Sequence, residues 1–284
     1  MKNIASLLSL VVSLIAVCAL TNCNLDQPID LQLPSYEKRI FVEAYLEVGR
    51  PFGILLTKSS SYFAPFNLAG NDLLNDLLEN DARVIIRQGS KVYELKNKLS
   101  QDPFTGKFFN YFLNFPVPNN FIDSFELEIT TAAGDLITST AKLLRPVPID
   151  SIIVEYNPED KLKARVLTYF TDEPNEVNYY RRMLHQSALD SVAFQDFTTS
   201  DRVFEGAVVF GTRYAFEKGD TIINTLFHIS EDYYNFLESV QGAIQANGNP
   251  FAQPSPIISN IKSDINAFGI FTTLNYDRKR TILR

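Results

Sequence analysis

Few places in this chain carry residues whose types and spacing could do chemistry. Two Ser-x-x-Lys matches occur, Ser139/Lys142 and Ser259/Lys262. A serine–lysine acyl transferase needs its serine at a helix start with the lysine one turn on. Ser139 instead falls in a predicted strand, where residues three apart face opposite ways. Asp264-Ile265-Asn266-Ala267-Phe268-Gly269 begins like a calcium loop but fails at its fifth position, Phe268, and at its twelfth, Asn275. The two histidines, His185 and His228, each fall at a predicted strand end, and no pair of them has metal-ligand spacing. They read as structural. No nucleophile elbow, Walker loop or dinucleotide glycine fingerprint is present. Pairs of carboxylates remain open, because 33 Asp and Glu could supply an acid–base couple or simply an acidic surface. No catalytic residue, metal site or cofactor is expected.

The residue with the clearest chemical assignment is Cys23. Lys2 forms a short positive segment, Ile4 to Leu20 follow without a charge, and Leu20-Thr21-Asn22-Cys23 ends the run. That is a secretory signal peptide, and a cysteine at its end is the acceptor position of a bacterial lipoprotein. Residues 1–22 are therefore read as the signal and Cys23 as the lipidated residue; the alternative is a plain signal peptide with Cys23 incidental. Cleavage there removes 22 of the 284 residues, leaving 262, and takes away one lysine and no acid, so the formal charge moves from −7 to −8. Such a charge offers no footprint for nucleic acid and no attraction to anionic lipid, so membrane attachment would come from acyl chains. Cys18 and Cys23 are the only cysteines. Once the first is removed and the second acylated, disulfides, thiolate metal sites and cysteine nucleophiles are excluded.

Residues 23–34, with Pro28 and Pro34, read as a tether; roughly ten residues reach ~35 Å when extended. From there the elements are mostly strands. Ile40–Leu46 and Phe52–Thr57 suggest a hairpin. Asn71 can cap a short amphipathic helix bearing Leu73, Leu74, Leu77 and Leu78. Ala82–Arg87 and Lys91–Leu95 flank a tight turn at Gly89. Phe108–Phe115, the alternating run Phe121–Thr130 and Leu136–Leu143 follow. About seven short strands in roughly a hundred residues, with turns between them, is an immunoglobulin-like profile. Arg145-Pro146-Val147-Pro148 is the predicted boundary, giving residues 35–146 as an N-terminal β-sandwich and 147–284 as a C-terminal β domain.

In the second part, Ile149–Tyr156, Leu162–Thr171 and Tyr179–Leu184 read as strands, and Ser187–Ser200 as a polar connection. Ala207–Phe216 and Thr221–Ile229 suggest a hairpin about Lys218-Gly219-Asp220. Ser230 caps a helix near 231–246, with Tyr233, Phe236, Leu237, Val240 and Ile244 on one face. Ile257-Ile258, Phe268–Thr272 and Thr281–Leu283 are available as closing strands. The fold class is mainly β: two immunoglobulin/fibronectin-like sandwiches with short helices.

Several landmarks resemble a known family: Ile29-Asp30-Leu31-Gln32-Leu33-Pro34 with Phe41-Val42-Glu43, Leu56-Thr57-Lys58-Ser59 and Tyr62-Phe63, Asn178-Tyr179-Tyr180-Arg181, Asp201-Arg202-Val203-Phe204, Ser230-Glu231-Asp232-Tyr233-Tyr234, Asn249-Pro250-Phe251, Ser259-Asn260-Ile261 and Phe268-Gly269. In order and spacing they look like Bacteroidota lipoproteins known only as a domain of unknown function, of the 4249 type. The resemblance implies acylation (palmitate-type chains), outer-membrane association and the company of TonB-dependent receptors; it implies no catalytic residue. After Cys23 only Asp26 is acidic, so this stretch lacks the acidic cluster of a surface-export signal and leaves the membrane face open. The functional expectation is a non-enzymatic accessory or substrate-binding partner of a TonB-dependent transporter, with a structural or adhesive lipoprotein as the alternative and an exported hydrolase behind both. Sandwich-end loops are the expected contact surfaces, with Tyr62, Phe63, Phe66 and Phe251 as the candidate contact residues. The same aromatics could instead plug the ends of the two cores.

Overall fold

The computed structural model describes residues 38–59, 77–173, 176–203, 206–247 and 256–284. The described chain is mainly β. In order the strands are β1 (Ile40–Glu47), β2 (Pro51–Lys58), β3 (Arg83–Gln88), β4 (Lys91–Gln101), β5 (Phe108–Pro116), β6 (Phe125–Thr130), β7 (Leu136–Ala141), β8 (Ile149–Tyr156), β9 (Lys163–Thr171), β10 (Tyr179–Gln186), β11 (Gln195–Ser200), β12 (Ala207–Gly211), β13 (Phe216–Glu217), β14 (Thr221–Ile229), β15 (Lys262–Ser263) and β16 (Phe268–Ile282). The helix α1 spans Glu231–Asn247. Twelve strands form one sheet in the order β11-β10-β14-β16-β1-β2-β5-β4-β3-β6-β7-β15, and β12, β13 and β8 flank β9 in a second. Lys38–Arg284 is one compact unit.

Alternation explains the first half. In β1, Ile40, Val42, Ala44 and Leu46 are buried while Phe41, Glu43, Tyr45 and Glu47 face the other way. Phe52, Ile54 and Leu56 of β2 join the same core, as do Val84 and Ile86 of β3 and Phe125, Leu127 and Ile129 of β6. β1–β2 and β3–β4 are antiparallel neighbours, as the sequence suggests. The second core lies between the two sheets, where Phe170, Tyr180 and Leu226 form one cluster and Val166, Leu184, Phe216 and Ile222 another. A polar layer of buried residues accompanies these clusters. Arg182, wholly buried, donates from its guanidinium to Asn224 Oδ1 (3.2 Å), Gln195 Oε1 (2.7 Å) and Thr168 Oγ1 (3.0 Å).

β16 ties the two cores together. Its first half runs parallel to β1, Phe268–Leu274 against Phe41–Glu47, and its second half antiparallel to β14, Asn275–Ile282 against Thr221–His228. The boundary expected at 146/147 is therefore bridged by one strand, and Ile261, Ala267 and Phe271 complete the first core from the far end of the chain. Of the three closing segments expected, Ile257-Ile258 forms no strand, and Phe268–Thr272 and Thr281–Leu283 fall in one strand of fifteen residues that ends at Ile282. The charged Asp277-Arg278-Lys279-Arg280 does not interrupt it, because these side chains find partners: Ile149 N donates to Asp277 Oδ2 at 2.8 Å, Arg278 Nε donates to Thr225 Oγ1 at 2.9 Å, and Lys279 bonds Ile149 O.

The start of β16 is clipped by side chains. Asn260 Nδ2 donates to Phe271 O (2.8 Å) while its Oδ1 accepts from Phe271 N (3.0 Å), and Ser259 Oγ accepts from Gly269 N (3.0 Å) and donates to Gly269 O (2.9 Å). Asn110 does the same for β2, accepting from Leu56 N at 2.8 Å and donating to Leu56 O at 3.2 Å. Each amide mimics a strand neighbour where the ladder lacks one.

Four expectations are corrected. Ser187–Ser200 is not wholly a connection: β11 pairs with β10 along its length, its polar composition suiting a half-exposed edge. Residues 207–216 and 221–229 are not a hairpin. β12 and β13 pair with β9, and β14 pairs with β10 and β16. Phe216 and Ile222 both bury into one cluster, so the turn carries the chain from sheet to sheet. β6 begins at Phe125 rather than Phe121, because Asn120 Oδ1 accepts from Ile122 N (2.8 Å) and Asp123 N (3.3 Å) and folds that stretch into a turn. In α1, capped by Ser230 Oγ accepting from Tyr233 N (3.3 Å), Tyr233, Phe236, Leu237 and Val240 pack on Phe227, Ile229 and Ile270, but Ile244 is 61% exposed. The cluster beneath the helix engages only the earlier turns. The helix expected near Asn71–Leu78 lies mostly outside the described residues; Leu78 itself bridges Thr57.

Candidate binding cleft

The odd positions of β1 face away from the first core and so become available to a site. Glu43, Tyr45 and Glu47 line a cleft of about 470 Å3. Gly53 and Leu55 of β2 and Leu274 and Arg278 of β16 join them. β10 contributes by the same logic: Tyr180 and Leu184 face the inter-sheet core, so Arg181, Met183 and His185 line the cleft. Phe227 of β14 and Tyr233 of α1 complete the floor, while Asp102, Thr105 and Lys107 from the β4–β5 connection, Phe108 at the start of β5, and Leu189, Asp190, Ser191 and Ala193 from the β10–β11 connection form the sides.

Some of its charges are committed to one another. Arg50 Nη2 reaches both oxygens of Asp102 (2.7 and 2.6 Å), and its guanidinium sits 4.4 Å from the centre of the Phe104 ring. Arg181 grips Asp196 with two parallel bonds of 2.7 and 2.6 Å and donates a third to Tyr233 Oη at 2.6 Å. Tyr276 donates its hydroxyl proton to Glu47 Oε1 at 2.5 Å. Other charges have no oppositely charged partner within ion-pair distance among the described residues: Glu43, Glu47, Asp190, Lys107 and Arg278. Lys107 Nζ lies 4.2 Å from the centre of the Tyr45 ring, and the Arg278 guanidinium 4.2 Å from that of Tyr276. His185 is buried, and its Nδ1 has no hydrogen-bond partner among the described residues.

Burial and mixed charge displace the acidities. Burial raises the Glu43 carboxyl, against the pull of Lys107 and Tyr45. Crowding by the cleft walls, then Arg181, lowers the Lys107 ammonium despite Glu43, Glu47 and Asp102. Burial, then Arg278, lowers the His185 imidazole. Burial and the bond to Glu47 push the Tyr276 phenol up to about 12. A carboxyl raised and an ammonium lowered within one cleft mark it as a functional-site candidate. The chemistry on offer is recognition of charge of both signs over an apolar floor. The hydroxyl of Ser191 is engaged, donating to Ala188 O at 2.6 Å.

Of the residues singled out from sequence, Cys23, Tyr62, Phe63, Phe66 and Phe251 lie outside the described residues. Ser139 stands in β7 and donates to Asn260 O at 2.9 Å, and Ser259 is spent on the Gly269 clip. Lys262 pairs in register with Thr138. His228 sits between Arg145 O (2.8 Å) and Asn178 Oδ1 (3.1 Å), whereas His185, read as structural, lines the cleft. Glu43, Lys107, Arg181, Asp196 and Arg278 were missed. The one legible signal was in β1, where Glu43 and Glu47 flank Tyr45 on the face opposite an apolar row.

A family model described as Domain of unknown function (DUF4249) matches residues 26–280. The chain belongs to this family. The DUF4249 match takes in the whole cleft, from Glu43 to Arg278. Among curated proteins no sequence match was found. Two solved structures are similar at low identity, both titled cytokine receptor complex. Crystal form 1A is 9% identical, covers 85% of this chain and 95% of its own, and has a TM-score of 0.27. Crystal form 2 is 11% identical, covers 64% and 89%, and has a TM-score of 0.25.

Proposed function

We propose that this DUF4249 protein is a lipid-anchored, non-enzymatic binding protein of the Bacteroidota outer membrane that serves a TonB-dependent transporter by holding its substrate. The observation that carries this reading is the cleft: a concave site of small-molecule size, built by both halves of the chain, with charged groups of both signs that make no ion pair among the described residues. The two cores act as immunoglobulin/fibronectin-like lobes, and β16 holds them in register so that β1 and β10 present one face. Cys23 supplies the anchor and residues 23–34 the tether. Among the described residues no helix is long and apolar enough to cross a membrane. Confinement beside a receptor in the same membrane would raise the effective concentration of even a weak contact.

The test is purification of the tagged full chain from mild detergent. A β-barrel receptor is expected to co-purify, and Cys23→Ser should release the protein from the membrane and abolish labelling by fatty acid. If no barrel co-purifies and deletion leaves nutrient uptake unchanged while surface attachment weakens, the protein is a structural or adhesive lipoprotein instead.

A further inference from the structure

On one side of the second core, two strands lack a neighbour. β8 pairs with β9 and, among the described residues, with no strand on its other side. β16 keeps β14 along its second half, but β1 leaves it after Leu274, so Asn275–Ile282 is likewise unpaired on that side among the described residues. The two open edges lie one above the other. Asp277 and Lys279 of β16 bond Ile149 at the start of β8, and Tyr156 Oη at its end donates to Arg284 O at 2.8 Å. At the far side the sheets lean together instead, the ring of Phe210 in β12 lying 5.2 Å from that of Phe197 in β11. Open edges are ordinarily blunted by charge, proline or short length. β8 is eight residues long and carries Ile152-Ile153-Val154 at its middle. Among the described residues, side chains bond its backbone only at Ile149. Ile153 is 45% exposed on the outer face of the small sheet, and Ile282 is 49% exposed on the outer face of the large one. The two edges also differ in charge: β8 bears Asp150 and Glu155, and the last stretch of β16 bears Arg278, Lys279 and Arg280.

We infer that this side binds a second copy of the chain, β8 of each copy lying antiparallel against the end of β16 in the other. A two-fold axis between the sheets and perpendicular to the strands exchanges the two layers, so both contacts form at once. Ile152, Val154 and Tyr156 face the inter-sheet core, as does Leu283, so Ile153 and Glu155 point outward, as do Arg280 and Ile282. Outer residues then meet outer residues: Ile153 faces the partner's Ile282, and Glu155 faces the partner's Arg280. On the inner face Ile152 meets the partner's Leu283, and Val154 the partner's Thr281. Arg165 takes Glu155 through Oε2 alone, at 2.7 and 2.6 Å, which leaves Oε1 for a second guanidinium. Arg280 is exposed and makes no ion pair among the described residues. The contact therefore sets unlike charges together at its rim and covers both exposed isoleucines. Pairing β8 with itself would instead set the Arg278–Arg280 stretches of two β16 strands side by side in the layer beneath. Because both edges lie on one side of the sandwich, each is used once, and the assembly closes at two copies rather than growing into a filament.

The experiment uses the full chain in mild detergent with Cys18→Ser and Cys23→Ser, which together remove every native thiol. Sedimentation over roughly 1–100 µM should show monomer passing to dimer and no larger species. Arg280→Glu should weaken the dimer about tenfold or more, because it turns a charge pair into a repulsion. Ile153→Cys and Ile282→Cys combined in one chain should give a covalent dimer on mild oxidation, whereas either alone should not. Within one copy the two positions stand on opposite outer faces of sheets about 10 Å apart, beyond disulfide reach, so any bridge joins two copies. Both positions are exposed, so neither substitution disturbs a core. A monomer at the highest concentration, no cross-link from the combined variant, or undiminished dimerisation of Arg280→Glu overturns the inference. A cross-link from Ile153→Cys alone overturns it as well, since that would pair β8 with itself. The transporter reading stands or falls separately on co-purification of a barrel.

Discussion

Gly269→Ala should be among the most damaging single substitutions in the chain. Gly269 pairs with Val42 in the parallel junction of β16 and β1, and its φ is +133°. A Cβ there would lie 2.0 Å from Val42 O, 2.7 Å from Val42 N and 2.8 Å from Val42 C. Ordinary carbon contacts are roughly 3.5 Å or more, so the strands must part by about 1.5 Å. That takes neighbouring ladder bonds out of hydrogen-bond range. Losing two of them as buried, unsatisfied groups costs about 1–3 kcal/mol each, and the backbone strain adds about 1–3 kcal/mol, giving roughly 3–9 kcal/mol. A typical domain has about 5–15 kcal/mol in hand. Gly134→Ala is the control. Its φ is +92°, with nothing within 4 Å of the new Cβ, so it carries backbone strain alone. Urea unfolding of both variants, compared at equal slope, isolates the steric part. The reasoning is refuted if Gly269→Ala falls within about 1 kcal/mol of the control, since only the missing clash distinguishes them.

Asn260→Ala removes both bonds to Phe271 and leaves a donor and an acceptor of β16 unmatched, so it should cost about 2–4 kcal/mol in the same assay, whereas Asn157→Ala, which loses one solvent-exposed bond from Glu159 N, should cost well under that. Arg182→Ala leaves Gln195 Oε1 and Asn224 Oδ1 without their guanidinium donor between the two sheets, while Thr168 Oγ1 keeps its bond from Asn224 Nδ2, and should destabilise by at least about 3 kcal/mol, measured by the thermal midpoint. His185 is held below its ordinary value of 6.5. The folded state therefore favours the neutral ring, and its contribution is complete above pH 6.5 and lost as pH falls from there toward the lowered folded value. A His185→Gln variant should show a shallower loss of stability on that acid limb; an unchanged slope would show that the imidazole does not titrate differently on folding.

Much of the local structure was legible in the residues. The alternation of β1, the hairpin about Gly89, the strands β8 and β9 and the Ser230-capped helix all follow from patterns a few residues long. The presence of only two cysteines, both by position 23, likewise decides without any structure that the folded body uses no disulfide. Those patterns state which face of an element is apolar. They do not state which element lies beside it. Nothing in Phe268–Ile282 says that its first half will run parallel to a strand more than two hundred residues earlier and its second half antiparallel to β14, or that Asp277 and Arg278 will find partners instead of ending the strand. The turn at Lys218–Asp220 looks the same in sequence whether it folds back within a sheet or crosses to another; the shared burial of Phe216 and Ile222 decides it. The cleft belongs to this second kind of fact. Glu43, Lys107, His185, Arg181 and Arg278 come from four separate stretches of chain, each unremarkable alone, and they share a site because β16 brings β1 and β10 into one sheet. Pairing across such distances in sequence is decided by the burial of whole faces and not by any local signal, so only the tertiary structure could place these charges around one space.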